Sequence, residues 1–127
     1  LSYKFSDDVA FALNPKVTIF YVGSYNNLDV ANEKGNKYSN HLVYEDHGIY
    51  KVVIGVYQDH QVIDLMSSYF HDQGISFYQE ELKVDSSFLK EVSNYELLIK
   101  SSDSSYYDRV NASLLNLFLE YQTQNVQ

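Results

Sequence analysis

One six-residue pattern occurs twice in this 127-residue chain, and its repetition limits the folds that the chain can adopt. The copies are FYVGSY at residues 20–25 and VVIGVY at residues 52–57. In each copy an apolar run reaches a glycine, and a tyrosine follows two residues later. Runs rich in β-branched and aromatic residues are typical of β-strands. The copies start 32 residues apart, and a pattern that recurs at this spacing indicates a unit of a few secondary-structure elements that is used twice.

Each copy is followed by Asn or Asp residues that can cap a helix, and then by apolar residues at helical spacing. The glycine at each strand end is expected to let the chain turn tightly into that helix. The triplet DHG at residues 46–48 predicts a hairpin turn, with Gly48 available for a positive φ. We therefore expect strands near residues 17–23, 41–45, 49–56 and 75–83, and helices near residues 28–39 and 60–72.

This order predicts an α+β fold of the ferredoxin-like βαββαβ type, in which a four-stranded antiparallel sheet carries both helices on one face. An N-terminal arm of residues 1–16 precedes the repeat, and residues 17–84 contain it. A C-terminal helical extension covers residues 85–127.

The extension contains two amphipathic helical patterns, separated by the polar run SSDSS. Packing on the same domain is the simpler interpretation, because two heptads are short for a coiled coil. Contact with a second copy or a partner stays open as the alternative. The apolar faces consist of Phe88, Val92, Tyr95 and Ile99 in the first pattern, and of Tyr107, Val110, Leu114, Leu117 and Tyr121 in the second.

Strand alternation also predicts which residues lie on the sheet face away from the first two helices. That face is more apolar than a sheet face left to water, so a sugar, a partner or the C-terminal helices should cover it. Its expected members are Val17, Ile19, Tyr21, Lys51, Val53, Ser76, Tyr78 and Glu80.

Composition argues against several classes of function. The net charge of −8 disfavours binding to nucleic acid, because polyanions are repelled. The chain has no cysteine, and His41, His47, His60 and His71 do not recur at the spacing of metal ligands. No nucleophile, base or glycine-rich phosphate loop is arranged by spacing, so we expect neither catalysis nor a cofactor. The glycosylation-like triplet at residues 111–113 is discounted because it lies within a helical pattern.

The stretch from about residue 17 to residue 84 resembles the SPOR domain, the bacterial sporulation and cell-division repeat. That family ends its first strand in aromatic–Val–Gln–Val–Gly–Ser–Phe and its later strand in Tyr–Arg–Val–x–Val–Gly–Pro–Phe. Here Tyr21 stands where the family has the glutamine that faces the glycan. The residues that carry the resemblance are Phe20, Val22, Gly23, Ser24, Tyr25 and Ala31, followed by Tyr50, Lys51, Val52, Ile54, Gly55 and Tyr57.

The resemblance implies a non-catalytic module that binds peptidoglycan glycan strands at division or sporulation septa. Such a module works on the extracytoplasmic face of a bacterial membrane, anchored by a segment outside this sequence. For glycan binding we expect an aromatic ring to stack on sugar, a cation for a muramic carboxylate and short polar groups for hydroxyls. The candidate glycan-binding residues are Tyr21, Ser24, Asn26, Lys51 and Tyr78.

An alternative hypothesis is a SPOR-like scaffold whose sheet face is covered by the C-terminal helices. That scaffold would bind an envelope protein or form oligomers through the helices. An enzyme or an RNA-binding domain with the same strand order is a further alternative, although RNA recognition on such a sheet needs basic residues among the aromatic ones.

Overall fold

A computed structural model describes residues 14–125 and confirms the predicted α+β, ferredoxin-like fold. Neighbouring strands are antiparallel, and their order across the sheet is β2–β3–β1–β4. The elements in chain order are β1 (Lys16–Tyr25), α1 (Leu28–Gly35), β2 (Leu42–Asp46), β3 (Ile49–Tyr57), α2 (His60–Asp72), β4 (Tyr78–Lys83), α3 (Ser86–Ser101), a short 3₁₀ helix (Ser104–Tyr106) and α4 (Tyr107–Asn125). The predicted N-terminal arm lies, up to residue 13, outside the described residues.

The hairpin between β2 and β3 turns at His47 and Gly48, whose φ angles are 52° and 83°. Two consecutive positive φ values are what a type I′ hairpin turn requires. Further along β3 the pairing with β1 becomes irregular. Phe20 lies opposite Gly55, and the next residue of β1 lies opposite Val53, so that Ile54 is skipped and forms a bulge.

Helix α2 has the predicted bounds because both of its ends are capped by local side chains and backbone. The Asp59 carboxylate accepts hydrogen bonds from two amides of the first turn. At the other end Gly74 has a φ of 76°, and the amides of Gly74 and Ile75 bond back to the carbonyls of His71 and Phe70. This is a Schellman motif, which uses a left-handed glycine to end a helix.

Two element boundaries differ from the prediction by three residues or more. Strand β4 begins at Tyr78 rather than near residue 75, because the Ile75 amide belongs to the helix cap and the Phe77 ring stacks on Phe20 at 5.0 Å. Helix α1 ends at Gly35 rather than near residue 39. A Cβ at Gly35 would lie 2.6 Å from the His41 ring, so the missing side chain makes room for that ring.

The glycines of the repeated pattern have a different role from the one predicted. Gly23 and Gly55 lie within strands, and the positive-φ glycines among residues 14–125 are Gly48 and Gly74. A Cβ at Gly55 would lie 2.6 Å from the ring of Tyr57, and one at Gly23 would lie 2.8 Å from the ring of Tyr25. Each tyrosine therefore folds its ring across the glycine two residues before it, and the repeat encodes this contact rather than a turn.

Helices α3 and α4 contact each other and β3, and they bury part of the sheet face away from α1 and α2, so the C-terminal helices are one cover of that face. Val17, Ile19 and Val53 are at most 1% exposed and belong to one apolar cluster with residues of both helices. The helical residues of that cluster include Phe88, Val92, Leu114 and Phe118. The C-terminal extension therefore forms one side of the main apolar core.

Candidate functional site

Two tyrosines form an aromatic platform at the end of the sheet that α3 and α4 leave open. Tyr21 of β1 and Tyr78 of β4 are direct partners in the strand pairing. Their ring centroids lie 5.4 Å apart, and the ring planes differ by 30°. Tyr78 is 62% exposed, whereas Tyr21 is half-buried. At this distance and angle the two rings pack partly face to face, so Tyr78 shields one side of Tyr21 and presents its own outer ring face and hydroxyl group to solvent.

Lys51 of β3 holds this platform in place through contacts to the other three strands. Its Nζ lies 5.2 Å from the centre of the Tyr21 ring, within the range of a cation–π contact. The same atom donates a 2.5 Å hydrogen bond to Glu80 of β4 and lies 3.6 Å from a carboxylate oxygen of Asp46 in β2. The Lys51 side chain is only 12% exposed, so its ammonium is committed to the protein.

The pKa values around Lys51 agree with a closed ion-pair network. Burial lowers the pKa of Lys51, but the hydrogen bond and charge of Glu80 and the charge of Asp46 outweigh it, and the net pKa is raised. The pKa of Asp46 is lowered, first by the hydrogen bond from His47 and then by Lys51. Burial raises the pKa of Tyr44, and the charges of Asp46 and Glu80 raise it further. The raised pKa of Lys51 and the lowered pKa of Asp46 favour the charged forms of both side chains, and the raised pKa of Tyr44 favours its neutral phenol.

A shallow cavity of about 370 Å³ borders the platform at the end of β1. Its residues are aromatic, aliphatic or hydroxyl-bearing, and none carries a charge. They are Tyr21, Val22, Gly23, Ser24, Tyr25 and Tyr78.

The structure brings three of the five predicted site residues into contact. Tyr21, Lys51 and Tyr78 form one cluster, and Ser24 lines the adjoining cavity. Asn26 is exposed in the bend before α1 and does not line that cavity.

Sequence reasoning did not include Asp46, Glu80 or Tyr25 among the site residues. Glu80 was placed on the correct face by alternation with Tyr78. Its contact with Lys51 crosses the whole of β1, a relationship that only the strand order shows.

Helices α3 and α4 cover the other half of this sheet face, as far as Tyr44 of β2. The Tyr44 ring lies 5.7 Å from the ring of Phe118 in α4, which in turn lies 6.1 Å from Phe88 in α3. Tyr21, by contrast, has its ring contacts with Tyr78 and Lys51. The sheet face is thus divided into a half buried under helices and an accessible half centred on the platform.

Buried polar contacts fix both helices to the sheet. In α4, Asn111 is 2% exposed; its Nδ2 donates to the Ile54 carbonyl at 2.7 Å, and its Oδ1 accepts from the Tyr57 hydroxyl at 2.5 Å. In α3, the Glu96 Oε2 accepts from the amides of Gln58 and Asp59, both at 2.9 Å. Because Asn111 is buried, the triplet at residues 111–113 is not accessible for glycosylation in the folded protein.

Comparison of the chain with models of protein families, with curated proteins and with solved structures finds no match. Within residues 14–125, no three His, Cys, Asp or Glu side chains gather closely enough to hold a metal ion. In the same part of the chain, no helix has the combination of length and apolar character that crossing a bilayer requires.

Proposed function

We propose that the protein is a non-catalytic module that binds a glycan strand of the bacterial cell wall at the Tyr21–Tyr78 platform. The observation that carries the proposal is the pair of rings 5.4 Å apart at the uncovered end of the sheet. The apolar faces of pyranose rings pack well on such surfaces, and the hydroxyl of Ser24 and the phenolic groups supply hydrogen bonds to sugar hydroxyls.

The resemblance to SPOR domains supports the same assignment, because that family binds peptidoglycan through the sheet face away from its two helices. The expected setting is the extracytoplasmic side of a bacterial membrane, at division or sporulation septa. Tyr21 takes the place of the family's glutamine, so stacking replaces part of the hydrogen bonding there.

Sedimentation with purified, peptide-free sacculi tests the proposal. We expect the wild-type protein to pellet with the sacculi and Tyr78→Ala to stay in solution. Because Tyr78 is mostly exposed and contributes little to folding, loss of pelleting would report lost binding rather than unfolding. Tyr106→Ala is the matched control, because Tyr106 is a 49% exposed tyrosine of the 3₁₀ helix, away from the platform. Equal pelleting of Tyr78→Ala and wild type would contradict the proposal.

A scaffold for an envelope protein is the second candidate, and the divided sheet face favours it. Half of the face is buried under α3 and α4, which leaves a shorter open surface than a sheet without this cover. On α3, Leu97 and Leu98 are 60% and 50% exposed, which is unusual for leucine and suits a contact with another protein. The test is the double variant Leu97→Ser/Leu98→Ser. If the wild-type protein does not bind sacculi and the double variant loses capture of an envelope partner, the scaffold function replaces the glycan function.

A further inference from the structure

The charged groups beside the tyrosine platform are already paired with one another. The ammonium of Lys51 bonds to Glu80 at 2.5 Å and lies 3.6 Å from Asp46. With the His47 imidazole beside Asp46 counted as neutral, two carboxylates and one ammonium leave one excess negative charge in the network. A second anion brought to Lys51 would have to break the bond to Glu80 and would meet that excess charge at short range.

The neighbouring cavity supplies no other cation. Its lining consists of tyrosine, valine, glycine and serine, as described above. Another ion pair between strands joins Lys16 of β1 and Glu81 of β4 at 3.7 Å, and both residues are at positions that face away from Tyr21. A ligand at this site therefore meets ring faces and hydroxyl groups within a weakly negative field.

We infer that the platform takes an uncharged sugar unit, such as N-acetylglucosamine, and rejects a sugar that carries a carboxylate. On a strand that alternates uncharged and acidic sugars, the contact falls on the uncharged ones. This inference rests on the proposed glycan function and replaces the expectation that Lys51 binds a muramic carboxylate.

Calorimetric titration with two matched hexasaccharides tests the inference. One is the neutral β-1,4-linked hexamer of N-acetylglucosamine, and the other is the same hexamer with its C6 hydroxyl groups oxidised to carboxylates. At low salt we expect the neutral hexamer to bind about tenfold more tightly, the size of effect that one close repulsive charge produces at a protein surface. The difference should shrink as salt is added, because screening weakens the repulsion.

Two single-charge variants of β4 provide the matched control. Glu80→Gln removes the excess negative charge of the network and keeps an oxygen that accepts from Lys51. Glu81→Gln removes the same charge one residue further along, on the opposite face of the strand. We expect Glu80→Gln to bring the two affinities close together and Glu81→Gln to leave their ratio unchanged.

The outcomes separate this inference from the proposed function. Equal or tighter binding of the carboxylated hexamer to the wild-type protein overturns the inference, and so does binding of sacculi without binding of the neutral hexamer. In both cases the glycan function stands if Tyr78→Ala still loses sacculi. If the wild-type protein binds neither sacculi nor hexamer, the glycan function and the inference fall together.

Discussion

Asn111 of α4 and Ile54 of β3 are joined by a 2.7 Å hydrogen bond from a side-chain amide to a backbone carbonyl. Ile54 is the residue of β3 that the pairing with β1 skips between Phe20 and Tyr21. A helix side chain thus satisfies a carbonyl at a bulge, and the Tyr57 hydroxyl completes the contact. The fit of α4 against the sheet depends on this irregularity as well as on apolar packing.

Asn111→Ala should lower the free energy of unfolding by about 2–4 kcal/mol, since it leaves the Ile54 carbonyl and the Tyr57 hydroxyl without their buried partner. Urea unfolding followed by circular dichroism measures the change. Asn116→Ala in the same helix is the control, because Asn116 is exposed, and we expect a change within about 0.5 kcal/mol. Similar losses of stability in the two variants would show that the buried contact of Asn111 does not stabilise the fold more than an exposed side chain does.

Gly55→Ala should cost about 1–3 kcal/mol, because the added methyl group forces the fully buried ring of Tyr57 from its place. Gly23→Ala meets the same crowding from Tyr25, but that ring is only half-buried and can swing toward solvent. We expect Gly23→Ala to cost less than about 1 kcal/mol. Thermal melting of the two variants side by side checks this ranking, and a larger loss for Gly23→Ala would contradict it.

Lys51→Met should lower the free energy of unfolding by about 1–3 kcal/mol, because it leaves Asp46 and Glu80 without their shared cation on a largely buried part of the sheet. Adding Glu80→Gln to Lys51→Met should restore part of the loss, since one of the uncompensated charges is then gone. Urea unfolding of both single variants and the double variant measures the coupling energy. Additive losses would mean that the two side chains do not stabilise each other.

The buried carboxylate of Glu96 should make the stability of the folded protein depend on pH. Burial raises the pKa of Glu96 above its ordinary value of 4.5, and the hydrogen bonds from Asp59 and Gln58 only partly oppose this. The folded state therefore holds the Glu96 proton more tightly than the unfolded state does. The stability that Glu96 contributes is present at pH below 4.5 and is lost as the pH rises through the folded pKa.

Comparison with Glu96→Gln isolates this dependence from that of other groups. Asp46 and Asp59 have lowered pKa values and act in the opposite direction, but they are common to both proteins. We expect the stability of wild type relative to Glu96→Gln to fall as the pH rises from 4 toward neutrality. The slope should correspond to at most about one proton released on unfolding. Melting temperatures measured across this range check the sign, and a relative stability that rises with pH would refute it.

The fold could be predicted from the sequence where local signals agree with one another. Helix α2 has a capping aspartate, an apolar stripe and a terminating glycine, and its bounds match the prediction. Helix α1 and strand β4 were placed less well. Their ends depend on the His41 ring beside Gly35 and on the stacking of Phe77 on Phe20, contacts between residues that are not adjacent in sequence.

The candidate site was predictable in part for the same reason. Alternation along β1 and β4 places Tyr21 and Tyr78 on one face, and the expected strand order makes them neighbours. The partners of Lys51 could not be predicted, because Asp46 and Glu80 come from strands on either side and their register is set by the whole sheet. The apolar stripes of α3 and α4 showed that these helices are buried, but not which half of the face they cover.

The burial of Val17, Ile19 and Val53 under α3 and α4 has a consequence for how the chain can be divided. A cut after Val84 would release the repeat with these side chains in water. It would also remove Asn111 from the polar groups of β3, and Glu96 from the amides of Gln58 and Asp59 that follow β3. The boundary of the repeat in the sequence is therefore not the boundary of a cooperative unit. Residues 17–84 carry the repeated pattern, whereas we expect cooperative folding to require the repeat and the two helices together.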